Sequence, residues 1–422
     1  MIALKLNWFT NDKRGMRFKL LVTVFAVLLL HTSLYAQTAS KPFPQHVKYV
    51  TGTILPALPQ IKLDSEVKNF YDQWKKRFIK NVPGKPESFV WFDEKDQKQC
   101  VSEGQGYGMV IVALMAGHDP EAKNTYDRLF RYYQAHPSGR TKYLMAWAQN
   151  DNGKDEDNTS ATDGDMDIAY SLLLAHQQWG GKAGIDYLGT AKNMINAIMA
   201  YEINHQTWSV MLSDAVEQDS KDYFDMRSSD FMPSYFKAFA SATDDNRWVK
   251  VTDSNYRLFL AMEEKYSPEA GLVPDFIVGI NKHPKPAPPH FLESPYDGYY
   301  NYNACRVPWR IGTDYLLTGD KRAKTISDRI NRWIRETTNN DTYNLSAGYT
   351  LAGNDIKGRY FEALSFSAPF AVSAMVDQKN QVWLTHLWTY LTVFKLKDFD
   401  YYDNTIKLLD MIIISGNYWE AN

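Results

Sequence analysis

The sequence predicts an all-α fold, a closed toroid in which outer helices surround inner ones. Three observations predict it. About a dozen segments between residues 64 and 415 carry apolar residues at helical spacing. These segments alternate between some that are apolar around the whole circumference and others that are apolar on one face only, as inner and outer helices of about six hairpins would be. Beyond Pro42 no long linker, low-complexity tract or composition shift marks a second domain.

The elements follow in chain order. Residues 16–36 read MRFKLLVTVFAVLLLHTSLYA, with Arg17 and Lys19 ahead of an apolar run from Leu20 to Leu30 and a small residue, Ala36, before Gln37. This is the pattern of a secretory leader, too short for a typical spanning helix and followed by no stop-transfer sequence. Residues 1–36 are therefore expected to be a signal peptide, with Met16 an alternative start, and 37–422 a single mature domain. The protein is expected to be secreted or periplasmic, monomeric, and off the membrane once the leader is cut. Helices are predicted at about 64–80, 103–117, 121–135, 165–178, 184–204 and 230–242, then 245–266, 304–318, 321–337, 361–375, 379–396 and 403–415. Two of them show the contrast. The segment from Asp167 carries Ile168, Ala169, Leu172, Leu173, Leu174 and Ala175 on every side, whereas 321–337 places Ala323, Ile326, Ile330, Trp333 and Ile334 three and four apart among Lys and Arg. The first is an inner helix and the second an outer one.

Composition excludes little but usefully. The 422 residues carry a formal net charge of -2 with no basic cluster, which argues against a nucleic-acid partner. Aromatics make up 14%, including 12 Trp and 27 Tyr, which fits sugar binding and fits a large core equally well. Cys100 and Cys305 are the two cysteines, and buried free thiols are expected over a bridge; they do not make a zinc site.

Three stretches carry chemistry. Ser102-Glu-Gly-Gln-Gly-Tyr-Gly-Met109 sets a lone carboxylate, Glu103, at the mouth of a core helix, where desolvation raises its proton affinity and the positive helix end lowers it. Complementing the helix dipole is the plainer role for such a residue. Between residues 151 and 167 lie seven carboxylates, but no register puts both a glycine at position six and a glutamate at position twelve of a calcium loop. Asp163 or Asp165 there can simply cap the following helix. The third stretch, Ser267 to Asn303, is rich in Pro and Gly and ends in aromatic residues with Glu293 and Asp297 among them. A loop this long in a compact domain is functional or disordered, and its aromatic content argues for order.

Together SEGQGYGM, ATDGDMDIAYSLLLAHQQWG and YNACRVPWR resemble glycoside hydrolase family 8, and the likeness extends to FPQHVKYV, RSSDFMPSYF and ISGNYWE. The resemblance implies an (α/α)6 barrel of six inner and six outer helices that cuts β-1,4-linked glycans with inversion and without a cofactor or metal. It implies Glu103 as general acid and Asp163 as the carboxylate that holds the sugar at the cleavage point. Where many members carry an Asp base this chain has Asn303, and an amide cannot take a proton from water. The chain resembles the branch with Asn at that position and a Glu base in the preceding loop, which implies Glu293, with Asp297 as its rival. Tyr107, Trp147 and Tyr302 are candidate sugar platforms by resemblance and position, or core residues. Asn303 is expected to orient the water or the base, while Arg306 and Arg310 anchor carboxylates.

The partner expected is a polysaccharide. Asp151, Asp155, Glu156 and Asp157 lack a compensating basic run, so a negative cleft would favour cationic chitosan, with neutral β-glucan the alternative if those charges lie elsewhere. A non-catalytic glycan-binding protein on the same toroid is the competing class. An accessory hydrolase of cellulose synthesis fits less well, because that subgroup keeps Asp where Asn303 stands.

Overall fold

The structure is a computed structural model that describes residues 39–92, 97–181, 184–359 and 363–421; the leader expected at 1–36 lies outside them except in sequence. Ser40–Asn422 packs as one unit. Among the described residues are twelve α-helices: α1 Gln60–Phe78, α2 Ser102–Leu114, α3 Ala122–Ala135, α4 Thr162–Trp179, α5 Tyr187–Tyr201, α6 Pro233–Thr243, α7 Arg247–Tyr266, α8 Val307–Thr318, α9 Lys321–Thr337, α10 Leu364–Ala374, α11 Gln381–Val393 and α12 Tyr401–Ile414.

The even-numbered helices form a ring. In it α2 packs on α4, α4 on α6, α6 on α8, α8 on α10, α10 on α12, and α12 back on α2. Each odd-numbered helix packs outside, and α1 closes the figure by lying against α12. Burial follows from composition: every residue of α10 is buried, whereas α9 buries Ala323, Ile326, Ser327, Ile330, Asn331, Trp333 and Ile334 and exposes much of the rest. The fold is therefore the (α/α)6 barrel.

Two local devices orient this ring. The backbone N–H groups of Ser40, Phe43, Val47, Val50 and Ile54 donate in turn to carbonyls of Gln178, Ala116, Gly416, Leu316 and Met375. This N-terminal strap thus satisfies carbonyls left open at the C-terminal ends of α4, α2, α12, α8 and α10. The opposite end, where the inner N-termini gather, is left for the site. The second device is the glycine content of α2, which costs helix stability but permits close approach. A Cβ at Gly106 would lie 2.7 Å from Asp167 Cβ, and one at Gly164 would lie 2.7 Å from Glu103 N. The two helix starts touch at their backbones, which brings Glu103 and Asp163 together.

Among the described residues seven short strands interrupt the helical pattern. Lys98–Val101 pairs with Ala148–Asn150 immediately before α2, while Met226–Arg227, Phe276–Val278 and Lys285–Pro286 form a three-stranded antiparallel sheet. The sheet and a small core of Met211, Leu212, Val216, Phe276, Val278 and Ala287, with Phe291 packed on it, order the long loop. The loop is a wall of the site.

Candidate active site

Where the inner N-termini converge, a cleft of about 500 Å3 is lined by residues that include Glu103, Trp147, Asp163, Arg227, Glu293, Tyr302, Asn303 and Tyr402. Its floor is organised by Arg306, a fully buried side chain just before α8. The Arg306 Nη1 donates to Glu103 Oε2 at 2.5 Å, Asp163 Oδ2 at 3.0 Å and the Tyr107 hydroxyl at 3.0 Å. Its Nη2 donates to Ser229 Oγ at 2.7 Å and Asn303 Oδ1 at 3.0 Å. One guanidinium therefore fixes Glu103, Asp163 and Asn303 relative to one another.

The two carboxylates beside it are tuned in opposite directions. Burial pushes Glu103 up to about 7, against the pull of Arg306 and with the help of Asp163. Burial would raise Asp163 too, but Arg227 and Arg306 outweigh it and hold that carboxyl below its ordinary range. A carboxyl of raised proton affinity thus sits beside one of lowered affinity. Behind them Arg310 grips Asp167 through Nη1 at 3.1 Å and Nη2 at 2.7 Å.

The opposite wall belongs to the long loop. Glu293 is exposed, with Oε2 accepting from Asn303 Nδ2 at 2.7 Å and Oε1 from Arg227 Nη2 at 2.9 Å. Asp297, by contrast, is fully buried and outside the cleft lining. Its Oδ2 accepts from the backbone N–H of Leu292 and Glu293, and its Oδ1 from the backbone N–H and hydroxyl of Ser294. Asp297 shapes the turn that presents Glu293, and both of its oxygens are spent on that task. Asp275 does the same for the next turn, its Oδ1 accepting from the backbone N–H of Asn301, Asn303 and Ala304.

The aromatic candidates divide. Trp147 and Tyr302 line the cleft, Trp147 with Lys98 Nζ 4.4 Å from its ring centre and its indole N–H on Asp157 at 3.0 Å. Tyr107 is completely buried beneath Arg306 and has no face open to a sugar. Tyr402 was not picked out from sequence, yet it lines the cleft and donates to the Tyr302 carbonyl at 2.5 Å. Arg227, Ser229 and Asp275 were also missed. The RSSDFMPSYF segment was the signal for the first two, whereas Asp275 lies unmarked inside the loop.

The acidic cleft expected from residues 151–157 does not form. Asp155 lies 2.8 Å from His136 Nδ1 and accepts from Gln149 at 3.0 Å, Glu156 lies 3.7 Å from Lys98, and Asp157 accepts from Trp147 and Thr159. Asp155, Glu156 and Asp157 are thus paired with residues outside the stretch, and none of residues 151–157 is among those lining the cleft. Cys100 and Cys305 are buried free thiols. Among the described residues no group of three or more His, Cys, Asp or Glu is arranged to hold a metal ion.

Known proteins similar to this chain are readily found. The chain is 42% identical to a beta-glucanase of Niallia circulans, over 97% of this chain and 99% of that one. It is 40% identical to an endoglucanase of Bacillus sp. (strain KSM-330), over 90% of this chain and 82% of that one. Its structure superposes on the apo beta-1,3-1,4-glucanase of Paenibacillus sp. X4 with a TM-score of 0.87 at 42% identity, covering 91% of this chain and all of the other. The profile of Glycosyl hydrolases family 8 matches residues 53–416, nearly the whole barrel, and the chain belongs to that family of glycoside hydrolases.

Proposed function

We propose that this glycoside hydrolase is an exported, monomeric endo-β-glucanase that cuts β-1,4 bonds within mixed-linkage β-1,3-1,4-glucan by inversion. The observation that carries the mechanism is the hydrogen-bonded series Glu103–Arg306–Asn303–Glu293, which sets two carboxyl groups on opposite sides of one cleft with two side chains between them. Inverting hydrolysis needs carboxyl groups about 6.5–9.5 Å apart so that a water fits beside the sugar.

In this reading Glu103 donates its proton to the departing glycosidic oxygen as the bond to the anomeric carbon breaks. Arg306 binds Oε2 only, which leaves Oε1 to carry that proton. Asp163, ionised, holds the sugar in a strained shape. Glu293 takes a proton from the attacking water, and the hydrogen bond from Asn303 Nδ2 fixes the orientation of that carboxylate. Glu293 then releases the proton it took to solvent, and solvent returns one to Glu103, so both groups are reset.

The substrate reading is supported by relatives with 40 and 42% identity that are named for glucan hydrolysis, and by the structure of a beta-1,3-1,4-glucanase at 42% identity. Chitosan, favoured on sequence, loses its physical argument, because residues 151–157 are outside the cleft lining and Asp155, Glu156 and Asp157 have partners elsewhere. The test is reducing-sugar release from mixed-linkage glucan, carboxymethylcellulose, chitosan and xylan by the parent, Glu103→Gln and Glu293→Gln. Cleavage of mixed-linkage glucan that either substitution removes is the expected result. Chitosan as the preferred polymer overturns the substrate reading, and full activity of Glu293→Gln overturns the base.

A further inference from the structure

Arg227 stands where three carboxylates meet. Its Nη2 donates to Glu293 at 2.9 Å, while Nη1 lies 3.9 Å from Asp163 and 3.7 Å from Asp230. The side chain is mostly buried, and Nε and Nη1 make no hydrogen bond there. A guanidinium carries five donors, so one hydrogen bond and two longer ion pairs leave most of its capacity unused. Such a group is held by charge, and it is able to tighten on whichever carboxylate moves toward it.

The same residue is mechanically coupled to the loop. Its guanidinium carbon lies 5.5 Å from the ring centre of Phe276, and Phe276 packs at 5.5 Å on Phe291, two residues before Glu293. Arg227 itself is in the strand that pairs with Phe276. Arg227 is thus the described side chain through which the loop wall, carrying Glu293, is tied by charge to the helix wall, carrying Asp163.

Resting on Glu293 as base, we propose that Arg227 is a positioning residue that links Glu293 to Asp163 across the cleft, so that the water-activating group and the sugar-holding group keep one spacing during the reaction. Asp230, fully buried, is a third neighbour 3.7 Å from Arg227 Nη1, and burial pushes its carboxyl up to about 8. The role is electrostatic as well as geometric. Glu103 is faced by Arg306 and Arg227, by Asp163 and Asp167, and by the hydroxyls of Tyr107, Tyr401 and Tyr402. Arg227 is one of its two lowering influences, so removing Arg227 makes Glu103 hold its proton to higher pH.

The experiment compares Arg227→Lys, Arg227→Met and Glu293→Gln with the parent on mixed-linkage glucan, recording kcat, KM, the pH profile and the thermal midpoint. A misplaced reacting group of about 1 Å costs on the order of 100-fold. Arg227→Met is expected to lose about 10- to 100-fold in kcat with a smaller change in KM, and to carry its alkaline limb to higher pH. Arg227→Lys keeps the charge, loses the two-pronged reach, and is expected to fall in kcat without the shift of the limb. Parent-like kcat and profile in Arg227→Met, with Glu293→Gln inactive, overturn the proposal alone. Full activity in Glu293→Gln overturns the base instead. A loss of kcat in Arg227→Met that tracks a lowered thermal midpoint, with the limb unmoved, assigns Arg227 to stability and also overturns the proposal.

Discussion

Replacing Asp163 by Asn should move the alkaline limb of activity to lower pH. As the proposed acid, Glu103 must be protonated to act, so activity should fall as pH rises through its value, pushed up by burial to about 7. Asp163 is one of the influences that raise it. Both carboxylates bind the same Arg306 nitrogen, at 2.5 and 3.0 Å, so their bound oxygens lie no more than about 5.5 Å apart. Two charges at that distance interact by about 3 kcal/mol at an effective dielectric near 20 and by about 0.8 kcal/mol in water. The guanidinium between them reduces the effect, and about 1–2 kcal/mol, or about one pH unit, is expected to remain. The assay is kcat/KM on mixed-linkage glucan from pH 5 to 9 for Asp163→Asn and the parent, on whatever residual activity the variant retains. A limb that stays in place, or moves up, refutes the claim that Asp163 helps to keep Glu103 protonated.

Other expectations follow from the same geometry. Asp297→Ala removes the acceptor of three backbone N–H groups and one hydroxyl, so activity should fall about 10-fold or more although the residue is outside the cleft; parent-like kcat would contradict its loop-shaping role. Gly164→Ala drives a Cβ to 2.6 Å from the Ser102 backbone and 2.7 Å from Glu103 N, and should cost about 1–3 kcal/mol or more in urea unfolding. Glu202 and Asp165 are buried with Oε2 and Oδ2 lacking any donor, and burial pushes Glu202 up to about 8 and Asp165 above its ordinary range. Through this pair the folded protein binds more protons than the unfolded chain between about pH 4 and 8, so the pair's contribution to stability should drop as pH rises across that window. Glu202→Gln should flatten this slope in urea midpoints at pH 5, 7 and 9, and an unchanged slope would count against a proton held by the pair.

Much of this architecture was legible because burial writes itself into spacing. The helix predicted at 321–337 is Lys321–Thr337, and that at 121–135 is Ala122–Ala135. The first helix begins at Gln60 and not at 64, because Leu63 already faces the core after Pro59. The strands were illegible for a physical reason: pieces of two to four residues carry no alternation, and Arg227 pairs with Phe276 through contacts distant in sequence. Glu103, Asp163, Glu293, Asn303 and Arg306 were named from motifs, and the structure brings all five to one place. Sequence could not separate Glu293 from Asp297, since four residues apart on a loop says nothing of which carboxylate faces in. The three N–H groups that Asp297 accepts made that distinction. Charge counting over 151–157 failed similarly, because His136, Lys98 and Trp147, which absorb those carboxylates, are remote or unremarkable in the chain.

In the proposed mechanism water displaces the leaving glycan in one step between Glu103 and Glu293, and the anomeric form of the first product reports whether it does. Proton NMR during the first turnovers on mixed-linkage glucan should show the α-anomer at the new reducing end before mutarotation, and Glu293→Gln should yield neither anomer. The β-anomer appearing first would mean a covalent intermediate and two displacements, which would contradict the account.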